Sequence, residues 1–245
     1  MEWEWGYAAL VILGAAIVRG YSGFGFAMIV AVALGFVFSP STITPMVLIL
    51  DLSASFWLYL RVGKQVDWPS LKWIGLGTLP TLGLGSLALT LVAERPMRIA
   101  IALLVLGLCL ILSRTRSPWK LEGRIPALGA GLCSGFLSGM AALGGPPVIL
   151  YYFSSDRPVA QSRATMITFF LIVDFFALVS CAFYGLVDTR VVGLGTAMMV
   201  PSFAGLWVGN RLFEKFAREK AFKSHVIRLL MAISLVSLIR FTLFA

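Results

Sequence analysis

Long apolar runs, separated by short polar connectors, extend along the whole chain. Several approach the about 20 residues that an α-helix needs to cross roughly 30 Å of hydrocarbon. The runs are continuous rather than alternating, which favours membrane helices over the strands of a β-barrel. The pattern therefore predicts an all-α polytopic membrane protein. The predicted apolar segments are Trp5–Val18, Phe24–Phe38, Thr44–Leu60, Trp68–Val92, Met97–Ser113, Ile125–Leu137, Pro146–Phe153, Ala164–Tyr184, Val191–Phe213 and Val226–Phe244.

Two of these runs are interrupted by glycine-rich stretches. The first break is RGYSGFGF at Arg19–Phe26, and the second is GLCSGFLSGMAALGGPP at Gly131–Pro147. The apolar pieces after the breaks, Phe24–Phe38 and Pro146–Phe153, are short for a membrane crossing. Unpaired backbone groups are tolerated at membrane depth only where they line a cavity or contact other protein. We therefore predict that each broken segment is a re-entrant hairpin that reaches the middle of the membrane; the alternative is a pair of short full spans.

The two halves of the chain resemble each other. Similar residues recur in the same order at offsets of 116 to 123 residues. The matching positions are Ser22–Gly23 with Ser138–Gly139, Asp51 with Asp174, Asp67 with Asp188, and Pro80 with Pro201. An internal duplication of this kind is common in transporter folds. We expect one integral membrane domain, in which residues 1–113 form the first repeat, 114–124 a cytoplasmic linker and 125–245 the second repeat.

The basic residues indicate an orientation. The net charge is +9, but only 13% of the residues are charged, and the Lys and Arg side chains lie mainly in short connectors. That distribution is typical of the positive-inside bias and argues against nucleic acid as a partner. If each broken segment goes in and comes back, sixteen of the 20 basic residues collect on one face. Five elements per half then predict two inverted repeats, each with a broken first hairpin plus three transmembrane helices, and both termini outside.

The breaks carry the candidate chemistry. Helices that restart at Phe24 and Pro146 would point free N–H groups and positive dipole ends at the breaks. Together with two serine hydroxyl groups, these ends would form a cradle for an anion. An arginine beside the first break adds full charge and a planar set of donors that suits oxyanions. The predicted substrate-binding residues are Arg19, Ser22, Gly23, Ser138, Gly139 and Gly145.

The same residues have structural interpretations. Gly131, Gly135 and Gly139 repeat every four residues, which is the spacing of close helix packing in membranes. Arg19 could instead snorkel to the cytoplasmic face, because arginine at the centre of a membrane helix costs about 2.5–3.5 kcal/mol on insertion scales.

Asp51 and Asp174 lie well inside apolar runs, at matching places of the two halves. Intramembrane carboxylates usually face a cavity or a partner and often carry protons, so both are proton-coupling candidates. The alternative is a structural ion pair, with Arg19 or Arg163 as the partner. By contrast, Asp67 and Asp188 stand at the junction of a loop with a helix and are predicted N-caps.

The chain resembles the TauE/SafE family of sulfite exporters, also called the TSUP family. The resemblance rests on GYSGFGFAM in Arg19–Met28, on SGMAALGGPP at Ser138–Pro147, and on the two-repeat layout over nearly the whole length. It implies a secondary transporter of small sulfur-containing anions, such as sulfite or organosulfonates, that normally exports them. We expect a bacterial inner membrane as its location. The chain departs from the glycine-richer family pattern at Phe26-Ala27 and at Ala141–Leu143, so the particular anion stays open.

Two other functions compete with this interpretation. A cation or metal-ion carrier or channel would use the two aspartates, although Arg19 favours an anion. An intramembrane serine protease is suggested by the GYSG string around Ser22, but the one histidine, His225, lies in a charged stretch far along the chain. Single, scattered cysteines and the absence of a nucleotide-binding loop predict no metal and no other cofactor.

Overall fold

The computed structural model describes residues 2–62, 65–114, 122–154 and 157–216, and these residues form ten α-helices. The second predicted segment begins as a helix at Phe26 rather than Phe24, and the seventh begins at Gly145. The predicted linker 114–124 falls largely outside the described residues. In chain order the helices are α1 (Glu2–Ser22), α2 (Phe26–Leu34), α3 (Pro40–Val62), α4 (Trp68–Leu91), α5 (Glu94–Arg114), α6 (Arg124–Ala141), α7 (Gly145–Phe153), α8 (Val159–Phe183), α9 (Thr189–Ala197) and α10 (Met199–Phe216).

Three helices in the described part of the chain are long and apolar enough to cross a membrane: α3, α4 and α8. A fourth crossing results if α9 and α10 count as one bent span. Large apolar side chains point outward from the bundle, as expected for helices in contact with lipid; Phe183, for example, is 84% exposed. The prediction of an all-α membrane protein is thus confirmed for these residues. The last predicted segment, Val226–Phe244, lies outside them.

The predicted segment Val191–Phe213 is not continuous. It divides at Met198 into α9 and α10, whose axes differ by 41°. Pro201 explains the position of the bend, because a proline ring inside a helix clashes with the carbonyl group four residues earlier, and that residue is Ala197, where α9 ends. Pro80, its counterpart in the first half, lies inside α4 without interrupting it.

Both broken segments fold back on themselves. Helix α2 packs against α1, and α7 packs against α6 in the same way. At the open end of the first pair, Tyr7 near the start of α1 donates a hydrogen bond of 2.9 Å to Ala33 near the end of α2. At the open end of the second pair, Tyr151 near the end of α7 donates to the Gly123 carbonyl group, which precedes α6. Each break is therefore the tip of a helical hairpin.

The hairpins are held by helices from the other half of the chain. The most extensive packing joins α4 to α6, followed by α1 to α10 and α3 to α8. Glycines make the first two contacts close: a methyl group at Gly135 would overlap the Thr78 carbonyl group of α4, and one at Gly209 would overlap the Ile17 carbonyl group of α1. The packing interpretation of the four-residue glycine spacing is correct for Gly131, Gly135 and Gly139.

Helix α2 lies at the centre of this arrangement. All nine of its residues are buried, and at 1.5 Å per residue it is about 14 Å long, roughly half of the hydrocarbon thickness. A short apolar helix enclosed on every side places its N-terminal end deep in the bundle. The first break, just before this end, is consequently inside the protein.

Candidate functional site

A small cavity lies between the two breaks. It has room for about one water molecule. Because the space is this small, any larger group can bind only if the surrounding helices move apart. The lining residues come from both breaks and from α1, α2, α3, α7 and α8: Arg19, Gly25, Ala27, Met28, Asp51, Ala142, Leu143, Gly145, Pro146, Ile149 and Phe170.

The first break is a tight turn that glycine makes possible. After α1 ends, Gly23 takes φ of +81° and donates its N–H to the Arg19 carbonyl oxygen at 2.7 Å. Gly25, with φ of +93°, then serves as the N-cap of α2, and side chains other than glycine rarely adopt this region. The amides at the start of α2 have no acceptor within the helix, and Ala27 and Met28 line the cavity.

The second break is built differently. Leu143 donates its N–H to the Leu137 carbonyl oxygen, and the Ser134 hydroxyl group donates to the Gly144 carbonyl oxygen at 2.5 Å. Helix α7 then begins at Gly145, followed by Pro146 and a second proline that likewise has no N–H. The second helix end therefore offers a positive dipole but fewer hydrogen-bond donors than the first.

Arg19 is the charged centre of the site. Its side chain is 1% exposed, and its Nε atom lies 3.1 Å from Asp51 Oδ1 on α3. A second guanidinium nitrogen donates to Ser55 Oγ at 2.5 Å, and the guanidinium carbon lies 4.8 Å from the centre of the Phe170 ring. These contacts hold Arg19 inside the bundle, so the snorkelling interpretation is not supported. They also leave further N–H groups of the fork for another acceptor.

Asp174 on α8 is the second buried carboxylate. It is 3% exposed, and its Oδ2 atom has no hydrogen-bond partner among the described residues. It interacts electrostatically with both Asp51 and Arg19. Phe170 lies one helical turn earlier on the same helix and lines the cavity. Three ionisable groups from α1, α3 and α8 thus meet beside the breaks.

The structure brings together only some of the predicted site residues. Arg19, Asp51 and Gly145 line the cavity, and Asp174 lies beside them. Gly139 instead packs against α4, and the Ser138 hydroxyl group lies against Gly144 in the second break. Gly23 is not among the residues that line the cavity, and its N–H is donated to the Arg19 carbonyl oxygen. The side chain of Ser22 lies outside what the structure describes.

A second buried arginine, Arg163, borders the first break, a position that was not predicted from the sequence. Arg163 on α8 donates to the Gly20 carbonyl oxygen at 3.0 Å and to Asn210 Oδ1 at 3.2 Å. Asn210 donates in turn to Glu214 at 2.8 Å, and the Arg163 guanidinium stacks on Phe213. Arg19 and Arg163 were both candidate ion-pair partners of the buried aspartates, and it is Arg19 that pairs with Asp51. Ser55 and Phe170 were also missed, although each stands four residues from an aspartate on the same helix.

The predicted N-caps have different outcomes. Asp188 is confirmed, since its Oδ1 accepts a hydrogen bond of 2.7 Å from the Val191 amide. Asp67 stands at the N-cap position of α4 but makes no side-chain cap bond. Its carboxylate instead lies 2.7 Å from Arg157 Nε and accepts a hydrogen bond from Ser70, which also bonds to the Tyr152 hydroxyl group. This cluster joins the start of α4 to the end of the α6–α7 hairpin.

Apolar helices of spanning length, two helical hairpins and a cavity that both hairpin tips line together with Arg19 and Asp51 are features of a multi-pass membrane protein of the transporter class. The model of the sulfite exporter TauE/SafE family matches residues 8–237, which is nearly the whole chain. The chain belongs to this family, as the two glycine-rich motifs predicted. No match was found among curated proteins or solved structures.

Proposed function

We propose that the protein is a secondary transporter that exports small sulfur-containing anions, such as sulfite or organosulfonates. The anion binds at the cavity between the helix breaks, where Arg19 supplies the charge. The amides at the start of α2 and the Gly145 amide supply further donors. The observation that carries this proposal is the position of Arg19, fully buried and facing a cavity lined by both breaks. Oxyanions are bound well by a guanidinium group beside a helix N-terminus.

Transport requires the cavity to open alternately to the two sides. In our proposal the halves are inverted repeats that rock against each other, as in other repeat-built carriers. The contacts of α4 with α6 and of α10 with α1 support this arrangement. In each, the first helix of one half packs against a late helix of the other half, as expected for two repeats that make the same contact with each other. The outward end of the site would be closed near Ala33 and Gly35, and the cytoplasmic end near Asp67 and Arg157.

A cation carrier is the second candidate, and one observation favours it. Two buried carboxylates, Asp51 and Asp174, stand beside the single guanidinium of Arg19. A site that used these oxygens for a cation would need Arg19 only as a structural partner. The two candidates therefore differ in which substitution removes binding.

The test is uptake of radiolabelled sulfite, isethionate or sulfate by the purified protein in liposomes. For the anion carrier we expect saturable uptake of a sulfur anion that falls at least about tenfold in Arg19→Gln, because the lost charge-assisted bonds are worth about 1.5–3 kcal/mol. Arg61→Gln is the matched control, since Arg61 is an exposed arginine at the end of α3 stacked on Trp57. Unchanged sulfite uptake in Arg19→Gln would contradict the proposed site, and uptake of a monovalent cation lost in Asp51→Asn would favour the cation carrier.

A further inference from the structure

The charges around the cavity do not balance for an anion. Arg19 contributes one positive charge, and its pair with Asp51 is neutral. Asp174 adds one negative charge if it is ionised. An anion that enters would then place two negative charges in an apolar interior, where an uncompensated charge is costly. Binding of an anion at Arg19 therefore requires a positive charge from elsewhere or the loss of a negative one.

The two carboxylates differ in what surrounds them. Asp51 has a direct ionic partner, Arg19 Nε at 3.1 Å, and this adjacent positive charge favours its ionised form. Asp174 is 3% exposed, has an Oδ2 atom with no hydrogen-bond partner among the described residues, and feels the like charge of Asp51. Buried carboxylates close to one another rarely ionise together. Asp174 is accordingly the group that can become neutral.

No other described ionisable group takes over this role. The groups acting on Asp174 from the packed helices are Asp51 of α3 and Arg19 of α1. The tyrosines of α7, Tyr151 and Tyr152, are directed to the Arg157 cluster instead. Arg163, nearer the start of α8, is linked to Glu214 through the Asn210 side chain, and the Cys181 thiol lies beside Ser86.

We infer that Asp174 is the proton carrier of this site: its carboxylate takes up one proton as the anion binds to Arg19 and releases it when the anion leaves. The step forms one O–H bond on Asp174 and breaks none in the substrate. One proton then travels in the same direction as each anion, and the transport of a singly charged anion moves no net charge. This inference rests on the proposed function. It also assigns different roles to two aspartates that occupy matching positions in the two halves.

The first measurement does not require transport. Infrared difference spectroscopy of the purified protein in lipid, recorded over a pH titration, detects the C=O stretch of a protonated carboxyl group. We expect such a band in the wild-type protein, its loss in Asp174→Asn and its retention in Asp51→Asn. Sulfite added at fixed pH should increase the band. A band that survives in Asp174→Asn and disappears in Asp51→Asn would overturn the assignment.

The second measurement tests the coupling. Isethionate keeps one fixed negative charge, so its uptake into liposomes can be measured under an imposed pH gradient or an imposed potassium diffusion potential. We expect the pH gradient to accelerate uptake and the potential to have no effect. In Asp174→Asn, accumulation driven by the pH gradient should fall at least tenfold, while exchange of labelled for unlabelled isethionate continues. Asp174→Glu should restore part of the accumulation, and normal gel filtration of each variant shows that it is folded.

The outcomes separate the two proposals. Uptake that follows the membrane potential and ignores pH would leave the anion carrier intact and overturn the role of Asp174. Loss of both exchange and accumulation in a folded Asp174→Asn protein would also contradict the inference, because that result indicates a binding residue. Absence of sulfite and isethionate uptake in the wild type would remove the proposed function, whereas the infrared titration would still decide where the proton resides.

Discussion

The buried pair of Arg19 and Asp51 predicts a specific pattern of stability changes. Each side chain is at most 3% exposed, so removing one partner leaves the other as an uncompensated charge in the interior. Breaking a buried pair in this way costs about 3–5 kcal/mol. For a chain of this size, 1 kcal/mol corresponds to about 2–4 °C in the unfolding temperature. We therefore expect Arg19→Gln and Asp51→Asn each to lower that temperature by roughly 6–20 °C.

The double variant Arg19→Gln with Asp51→Asn should be more stable than either single variant. It removes both charges at once, and the polar amides that replace them can bond to each other and to Ser55. The two single effects would consequently be far from additive, because the interaction energy has to exceed the cost of either single variant, about 3–5 kcal/mol. Tryptophan fluorescence during heating in detergent measures all four proteins, and the Arg61→Gln variant controls for the loss of an exposed arginine.

The result that would refute the reasoning is additivity. If the double variant unfolds at the temperature given by the sum of the two single effects, the ion pair does not hold the helices α1 and α3 together. A sulfite effect adds a second reading. Saturating sulfite should raise the unfolding temperature of the wild-type protein and have no effect on Arg19→Gln.

Two further predictions concern the packing between the halves. Gly135→Ala should lower the free energy of unfolding by about 1–3 kcal/mol, because the added methyl group meets the Thr78 carbonyl group. Gly129 has open space around it, so Gly129→Ala should have little effect in the same heating assay. Equal effects of the two substitutions would contradict the close α4–α6 contact. Arg157→Asp should reduce sulfite uptake several-fold, because it breaks the ion pair with Asp67. Adding Asp67→Arg restores a pair of opposite charges and should recover part of the uptake. A double variant that takes up no more sulfite than Arg157→Asp alone would show that the pairing itself is unimportant.

The membrane class, the broken segments and the position of Arg19 inside the bundle could be predicted from the sequence, because each is marked by a strong local pattern. A continuous apolar run predicts a membrane helix. An arginine or a glycine cluster inside such a run is costly unless its polar groups face a cavity or contact other protein. The predicted start of α7, at Pro146, differs by one residue from the observed start at Gly145, because the prolines after Gly145 suit a first helical turn. The energetic cost of a polar or helix-breaking residue inside an apolar run identifies these positions from the sequence, without knowledge of the residues that pack against them.

The contacts between halves could not be predicted in this way. Gly139 looked equally suitable for a binding site and for helix packing, and only the position of α4 shows which neighbours it has. Arg163 was a candidate ion-pair partner of the buried aspartates, but it instead donates a hydrogen bond to the carbonyl group of Gly20, 143 positions earlier in the chain. Such pairings depend on the relative rotation of helices that are remote in sequence, and the apolar pattern of each helix does not specify it.

The ion pair at the cavity bears on how a carrier can release what it binds. A free buried guanidinium would hold an oxyanion tightly, and a carrier needs binding that is favourable enough for capture and weak enough for release. In the proposed site, Asp51 lies 3.1 Å from Arg19 Nε and would compete for the guanidinium, so an anion would gain only the difference between its own contacts and those it disturbs. Conversely, the pair lets Arg19 remain inside the membrane while no substrate is bound, at a lower cost than an isolated charge. If the anion binds as proposed, the aspartate that weakens its binding is thus the same residue that stabilises the arginine inside the membrane.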